Sequence, residues 1–195
     1  FFMSKSKQNI LVIKHGAFGD LIQSDGIFRT IKNKYSSSNL ILLTSYPYKK
    51  LMLSSPYISD IIVDDRFKIW NFRKLLQLKN ELNRFNFTHV FDLQNSQRTL
   101  LYKKIFLKKS FWITTRRKDH PISGLQGLIE MLNDFGIPSS RILKPNINWM
   151  ANDVSFLLKK KKISKRYIVL IPGSSQNHKE KRWPFFKELA YKFLK

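Results

Sequence analysis

The chain contains no cysteine, which excludes disulfides, thiolate metal sites and cysteine nucleophiles. Glycine and proline are scarce, seven of each, too few for a collagen-like or linker protein. No apolar run exceeds six residues, whereas a membrane-spanning helix needs about 20. Acidic side chains are thin as well: 13 Asp and Glu stand against 36 Lys and Arg, for a formal net charge of +23. What the sequence does hold is apolar and aromatic, 43% and 14% of 195 residues. That is enough for a packed core and excludes wholesale disorder. The length suits one α/β domain with an appendage, or one domain and a piece of a second.

Phe1-Phe2-Met3 leads into polar Ser4-Lys5-Ser6-Lys7 without a secretory pattern, so Met3 reads as the biological start. At the other end the chain stops at Lys195 inside a helical pattern, with no cap or turn. It reads as the front part of a longer protein. A pI near 10.3 points to an anionic partner: nucleic acid, an anionic membrane face or a phosphorylated substrate. The cations gather at Lys103-Lys104, Lys108-Lys109, Arg116-Arg117-Lys118 and Lys159 to Lys162, continuing to Lys165-Arg166. Solvated helix faces and a bias toward lysine account for part of this, but not for so few balancing acids.

Residues 9–14 form a short β-branched run closed by His15-Gly16, the pattern of a buried strand. From Asp20, Leu21, Phe28, Ile31 and Tyr35 recur at helical spacing. Further strands are predicted at Leu40–Thr44, Asp60–Val63, His89–Leu93 and Phe111–Ile113. Between them lie a short helix at 46–54, an amphipathic helix over 72–85 and another over 97–107. A helix over Ile122–Phe135 ends at Gly136 and Pro138. Strands alternating with helices specify a parallel sheet covered on both faces. After an irregular crossing and a basic helix, the pattern restarts with a strand at Tyr167–Ile171, a polar loop, and a helix over Trp183–Leu194 with Pro184 in its first turn.

Three constellations carry chemistry. His15-Gly16-Ala17-Phe18-Gly19-Asp20 joins the first strand to the first helix, where glycines permit a tight turn and close backbone approach. It is not the dinucleotide fingerprint, because the G-x-G-x-x-G spacing is absent. Asp20 there is either a helix N-cap or a carboxylate held at the ligand-binding edge of the sheet. Phe91-Asp92-Leu93-Gln94-Asn95 ends the fourth strand, and Asp92 and Gln94 either contact a polar ligand or cap the next helix. Pro172-Gly173-Ser174-Ser175, followed by Lys179 and Lys181-Arg182-Trp183-Pro184, is either a diphosphate cradle or an ordinary basic loop. His15, His89, His120 and His178 have no metal-ligand spacing.

Taken in order, these segments resemble the ADP-heptose:lipopolysaccharide heptosyltransferases, glycosyltransferase family 9. Residues 10–14 with Gly16 to Asp20 look like that family's opening strand and Gly-Asp turn, His89 to Gln94 like its V-x-D-x-Q segment, and Tyr167 to Pro184 like the start of its second domain. His15 and Asn95 depart from the usual residues, and the family's later Asp-Thr/Ser-Gly donor loop has no counterpart here.

The resemblance implies an α/β, GT-B type fold. A Rossmann-like acceptor-side domain would occupy residues 1–150, a basic linker helix 151–165, and the beginning of a nucleotide-sugar domain 166–195. It implies Asp20 as catalytic base, Ser174, Ser175 and Lys181 as donor-binding residues, and Gly16, Gly19, Asp92 and Gln94 in the acceptor cleft. It implies inverting transfer of heptose from ADP-heptose to the phosphorylated inner core of lipopolysaccharide, with no metal or cofactor. The expected setting is cytoplasmic and peripheral, at the anionic inner face of the membrane, with no nucleic-acid partner. This chain by itself is expected to be catalytically inactive. Three other readings remain: a family-9 transferase with another sugar or acceptor, a basic nucleic-acid-binding α/β protein, and a nicotinamide oxidoreductase. The last lacks its glycine fingerprint. Salt-dependent filter binding separates the second from a transferase.

Overall fold

Apolar runs of four to six residues without polar alternation need cover on both faces, which a parallel sheet between helices supplies. The computed structural model describes residues 7–114, 124–139, 144–164, 166–174 and 176–194. Ser175, His120 and the Arg116-Arg117-Lys118 cluster lie outside the described residues. The sheet consists of β1 (Asn9–Ile13), β2 (Asn39–Thr44), β3 (Asp60–Val63), β4 (His89–Asp92) and β5 (Phe111–Thr114). Its order is β3-β2-β1-β4-β5, and every pairing is parallel.

The helices of this unit are α1 (Phe18–Gln23), α2 (Asp25–Lys34), α3 (Tyr46–Met52), α4 (Phe72–Asn83), α5 (Gln97–Leu101) and α6 (Gly124–Asp134). Strand alternation divides the apolar side chains between two cores. Ile10, Val12, Leu40 and Leu42 pack with Phe28 of α2 and Leu132 of α6. On the other face, Leu11, Ile13, Ile41 and Leu43 pack with Leu78 and Leu82 of α4.

Three local features differ from the sequence reading. The helix expected from Asp20 is two helices broken at Ser24, whose hydroxyl donates to the Asp20 carbonyl at 2.7 Å. The helix expected over 97–107 becomes a π turn at Tyr102–Phe106, which closes with the Leu107 N–H on the Tyr102 carbonyl. The expected strand at Tyr167–Ile171 does not form. A strand exists by pairing, and no described residue beyond 151 is in a strand that could pair with it.

The chain divides into two compact units, Phe1–Ala151 and Asn152–Lys195. The second holds α7 (Ser155–Lys160), a 3-10 turn at Gln176–Lys181 and α8 (Phe186–Phe193). In the first unit, the buried Asp25 carboxylate accepts the Asn146 N–H at 2.8 Å and the Trp149 indole N–H at 3.0 Å. That carboxylate ties residues 146–149 to α2. No helix of the described residues is long and apolar enough to cross a membrane.

Candidate functional site

In this strand order the chain leaves β1 toward β2 and later returns on the opposite side to β4. The loops after β1 and β4 therefore diverge at the carboxyl edge of the sheet, where open α/β sheets hold their ligands. Both first-unit constellations fall there. The loops touch at their bases: the His15 N–H donates to Gln94 Oε1 at 3.2 Å and the Leu93 N–H to the Ile13 carbonyl at 3.1 Å.

Gly16 is required by the turn itself. Its φ is +131°, and a Cβ there would lie 2.7 Å from Cε2 of Tyr48. Gly16→Ala is expected to cost about 1–3 kcal/mol, from backbone strain and displacement of the Tyr48 ring. Urea unfolding checks this; an unchanged midpoint would show that the turn tolerates a side chain. Gly19 has no such constraint, since a Cβ there meets nothing within 4 Å.

Asp20 is not the N-cap. Helix α1 begins at Phe18 with Ala17 as its cap, so Asp20 stands at the third helical position. From there its Oδ2 reaches back to accept the Ala17 N–H at 3.1 Å, with the Lys14 ammonium 3.7 Å away. Its side chain remains 53% exposed. It is thus a carboxylate that is oriented by the turn yet open to a ligand.

Beneath the turn lies a buried polar network that the sequence reading missed. His15 Nε2 and Asp64 Oδ2 are 2.7 Å apart, and both side chains are essentially inaccessible. Arg98 grips the same carboxylate with two N–H donors, at 3.0 and 2.9 Å. The Tyr102 hydroxyl donates to Asp64 at 2.5 Å, and the Arg66 N–H to its Oδ1 at 2.9 Å. Burial alone raises the Asp64 carboxyl, but the hydrogen bonds from His15, Arg98 and Tyr102 outweigh it and hold the group well below the usual carboxylate range. Burial and the Asp64 charge push the Tyr102 phenol far up. His15 Nδ1 is buried with no hydrogen-bond partner. The network thereby joins the ends of β1 and β3 to α5 (Gln97–Leu101) under the Gly16–Asp20 turn.

Asp92 and Gln94 also organise the loop. Asp92 is buried, and its Oδ1 accepts the N–H groups of Gln94 and Asn95 at 3.0 and 2.9 Å. Burial raises its carboxyl, opposed by these bonds and one from Thr99. It does not cap the following helix, because Ser96 holds that position and accepts the Thr99 N–H. The half-buried Gln94 holds the β1 loop through its side-chain carbonyl. In the second unit, the Ser174 hydroxyl donates to the His178 carbonyl at 2.7 Å and accepts from Arg182 Nε at 3.1 Å. Arg182 thus braces the loop, while Lys181, at the end of the 3-10 turn, is exposed. Among the described residues no group of three or more His, Asp and Glu is placed to hold a metal ion.

A five-stranded parallel sheet of this order, with its switch point between the first and fourth strands, is a Rossmann-like domain, and the chain has a GT-B type α/β fold. It is similar to the Escherichia coli ADP-heptose LPS heptosyltransferase II, at 20% identity and a TM-score of 0.69, covering 96% of this chain and 61% of that one. It is also similar to a family 9 glycosyl transferase from Veillonella parvula, at 17% identity and a TM-score of 0.54, over 67% of this chain and 42% of that one. This chain therefore spans less than two thirds of the length of either. No family model and no curated protein sequence matches it.

Proposed function

We propose that this chain is the acceptor-side domain and the start of the donor-side domain of an inverting family-9 glycosyltransferase, one that moves heptose from ADP-heptose to the inner core of lipopolysaccharide. The observation that carries this reading is the exposed Asp20 carboxylate at the switch point of a GT-B type sheet, held by a glycine turn and a buried brace. In the reaction, an acceptor hydroxyl attacks the anomeric carbon from the face opposite the diphosphate. The bond from that carbon to the phosphate oxygen breaks, ADP departs, and Asp20 takes the hydroxyl proton. A carboxylate is a weak base, so proton transfer runs late, after oxocarbenium character has developed as in glycosidases.

In the second unit, Lys181 and the Ser174–Ser175 loop meet the donor diphosphate and stabilise the charge that collects on it. The acceptor is lipid-linked and phosphorylated, so the protein works at the cytoplasmic face of an anionic membrane. A mass-spectrometric assay of the full-length protein with ADP-heptose and a deep-core acceptor tests the proposal. Transfer from a different nucleotide sugar would instead make it a family-9 enzyme of other specificity; tight, salt-sensitive nucleic-acid binding without transfer would sink it.

Lys181→Ala is expected to weaken ADP-sugar binding about tenfold or more, the loss of one charge-assisted contact to phosphate. Lys179→Ala is expected to change it by less than about threefold. Isothermal titration with ADP compares the two. Equal effects would mean that the loop is only generally basic.

A further inference from the structure

The loop after β3 and the first turns of α4 present an apolar surface that the core does not use. Ile69, Trp70, Phe72 and Leu76 are 49, 72, 78 and 57% exposed. They are not exposed for want of a core, because Leu78 and Leu82 of the same helix are buried beneath the sheet. Phe72 and Leu76, four residues apart, share one helix face and extend the apolar tip formed by Ile69 and Trp70. Around them stand Arg66, Lys68, Arg73, Lys74 and Lys79, with no acidic residue from 66 to 80. Lys68 Nζ lies 5.4 Å from the Trp70 ring centre.

The base of this loop is fixed. Arg98 donates to the Phe67 carbonyl at 2.6 Å and lies 4.7 Å from the Phe67 ring centre. Asn71 caps α4 by accepting the Lys74 N–H at 3.2 Å. A braced base and an outward apolar tip ringed by cations make a preformed surface rather than a loose segment.

We propose that residues 66–76, with Lys79, form the face by which this protein docks on an anionic lipid bilayer. Tryptophan and phenylalanine settle at the headgroup boundary, aliphatic side chains enter just below it, and lysine and arginine meet the anionic headgroups. A nucleic acid would use the cations and rings but has no place for Ile69 and Leu76, so a bilayer fits the whole set better. The loop leaves the carboxyl end of β3, on the same sheet edge as the Asp20 turn after β1. Docking there brings the crevice toward molecules displayed at the membrane surface. That consequence rests on the lipid-linked acceptor proposed above; the docking itself does not.

The test is co-sedimentation of the chain with vesicles of phosphatidylglycerol and phosphatidylcholine, or phosphatidylcholine alone, without donor or acceptor sugar. Binding is expected to be at least about tenfold tighter to the anionic vesicles. Trp70→Ser with Phe72→Ser, both on exposed rings, is expected to weaken it about tenfold or more, and Lys103→Ser with Lys104→Ser less than about threefold. Brominated lipid is expected to quench the parent's tryptophan emission, and Trp70→Phe to abolish most of that quenching. Binding by the double aromatic variant equal to the parent's would overturn the proposal. So would quenching that survives Trp70→Phe, or tight binding to single-stranded RNA with none to vesicles. Sugar transfer plays no part in these readouts, so a failed transferase assay leaves them standing, and the reverse.

Discussion

Asp20→Asn in the full-length protein is expected to lower the proposed sugar transfer by a factor of about 10²–10⁴, the usual share of a positioned general base. Donor affinity is expected to change little, because Asp20 belongs to the proposed acceptor side. The structure explains why the substitution is clean. Asp20 braces its turn by accepting the Ala17 N–H, and the carbonyl oxygen of an asparagine accepts the same bond. The Lys14 contact at 3.7 Å is partly exposed and contributes little to stability. Turnover and chemical unfolding measured side by side decide the point. A variant that keeps most of its turnover would reduce Asp20 to a turn brace.

The largest loss of stability is expected at Asp64. Asp64→Asn leaves Arg98 and His15 facing a neutral group in a dry site, and removing one partner of a buried ion pair costs about 3–5 kcal/mol. The effect depends on pH in a fixed direction. The folded-state carboxyl lies below its ordinary value of 3.8, so the unfolded chain takes up the proton first. The stabilisation is whole above the ordinary value and is lost as pH falls toward the depressed one. The gap between parent and variant in urea unfolding is therefore wide at pH 7 and narrows below about pH 4. Asp92→Asn provides the contrast. Burial raises that carboxyl, so its ionised form is a burden at neutral pH, and the asparagine is expected to cost no more than about 1 kcal/mol. A gap for Asp64→Asn that is constant from pH 7 to pH 3 would remove the network from the account of stability.

The sheet was legible because buried parallel strands advertise themselves as continuous β-branched runs between amphipathic helices. The positions of Gly16, Asp20, Asp92 and Gln94 at the carboxyl ends of the first and fourth strands followed from the same pattern. The brace under the turn was not legible. His15 and Asp64 are 49 residues apart, and Asp64 and Arg98 are 34 apart. Only the strand order brings them together. A trace existed in the Asp that directly follows the apolar run Ile61–Val63, and in Arg98 and Tyr102 four residues apart in the helix expected over 97–107. The clamp from Asp25 to Asn146 and Trp149 spans still more chain and left no local mark. The break at Ser24 escaped notice because the apolar spacing runs straight through it. Tyr167–Ile171 shows the opposite failure: its local pattern is that of a strand, but pattern alone cannot supply a neighbour to pair with.

The central place of β1 governs how the protein is made. Its first neighbour, β2, is available within the next turn of synthesis, but the other edge waits for β4, whose loop partner Gln94 lies 79 residues after His15. At ~5–20 residues per second, translation leaves that edge unpaired for roughly 4–16 s. During the interval Ile10–Ile13, which ends with no exposed atoms, presents an open row of backbone donors and acceptors flanked by aliphatic side chains. Such an edge pairs readily with any other nascent strand. Until the fourth strand leaves the ribosome, mispairing of the three-strand half, β1 to β3, is expected at this edge.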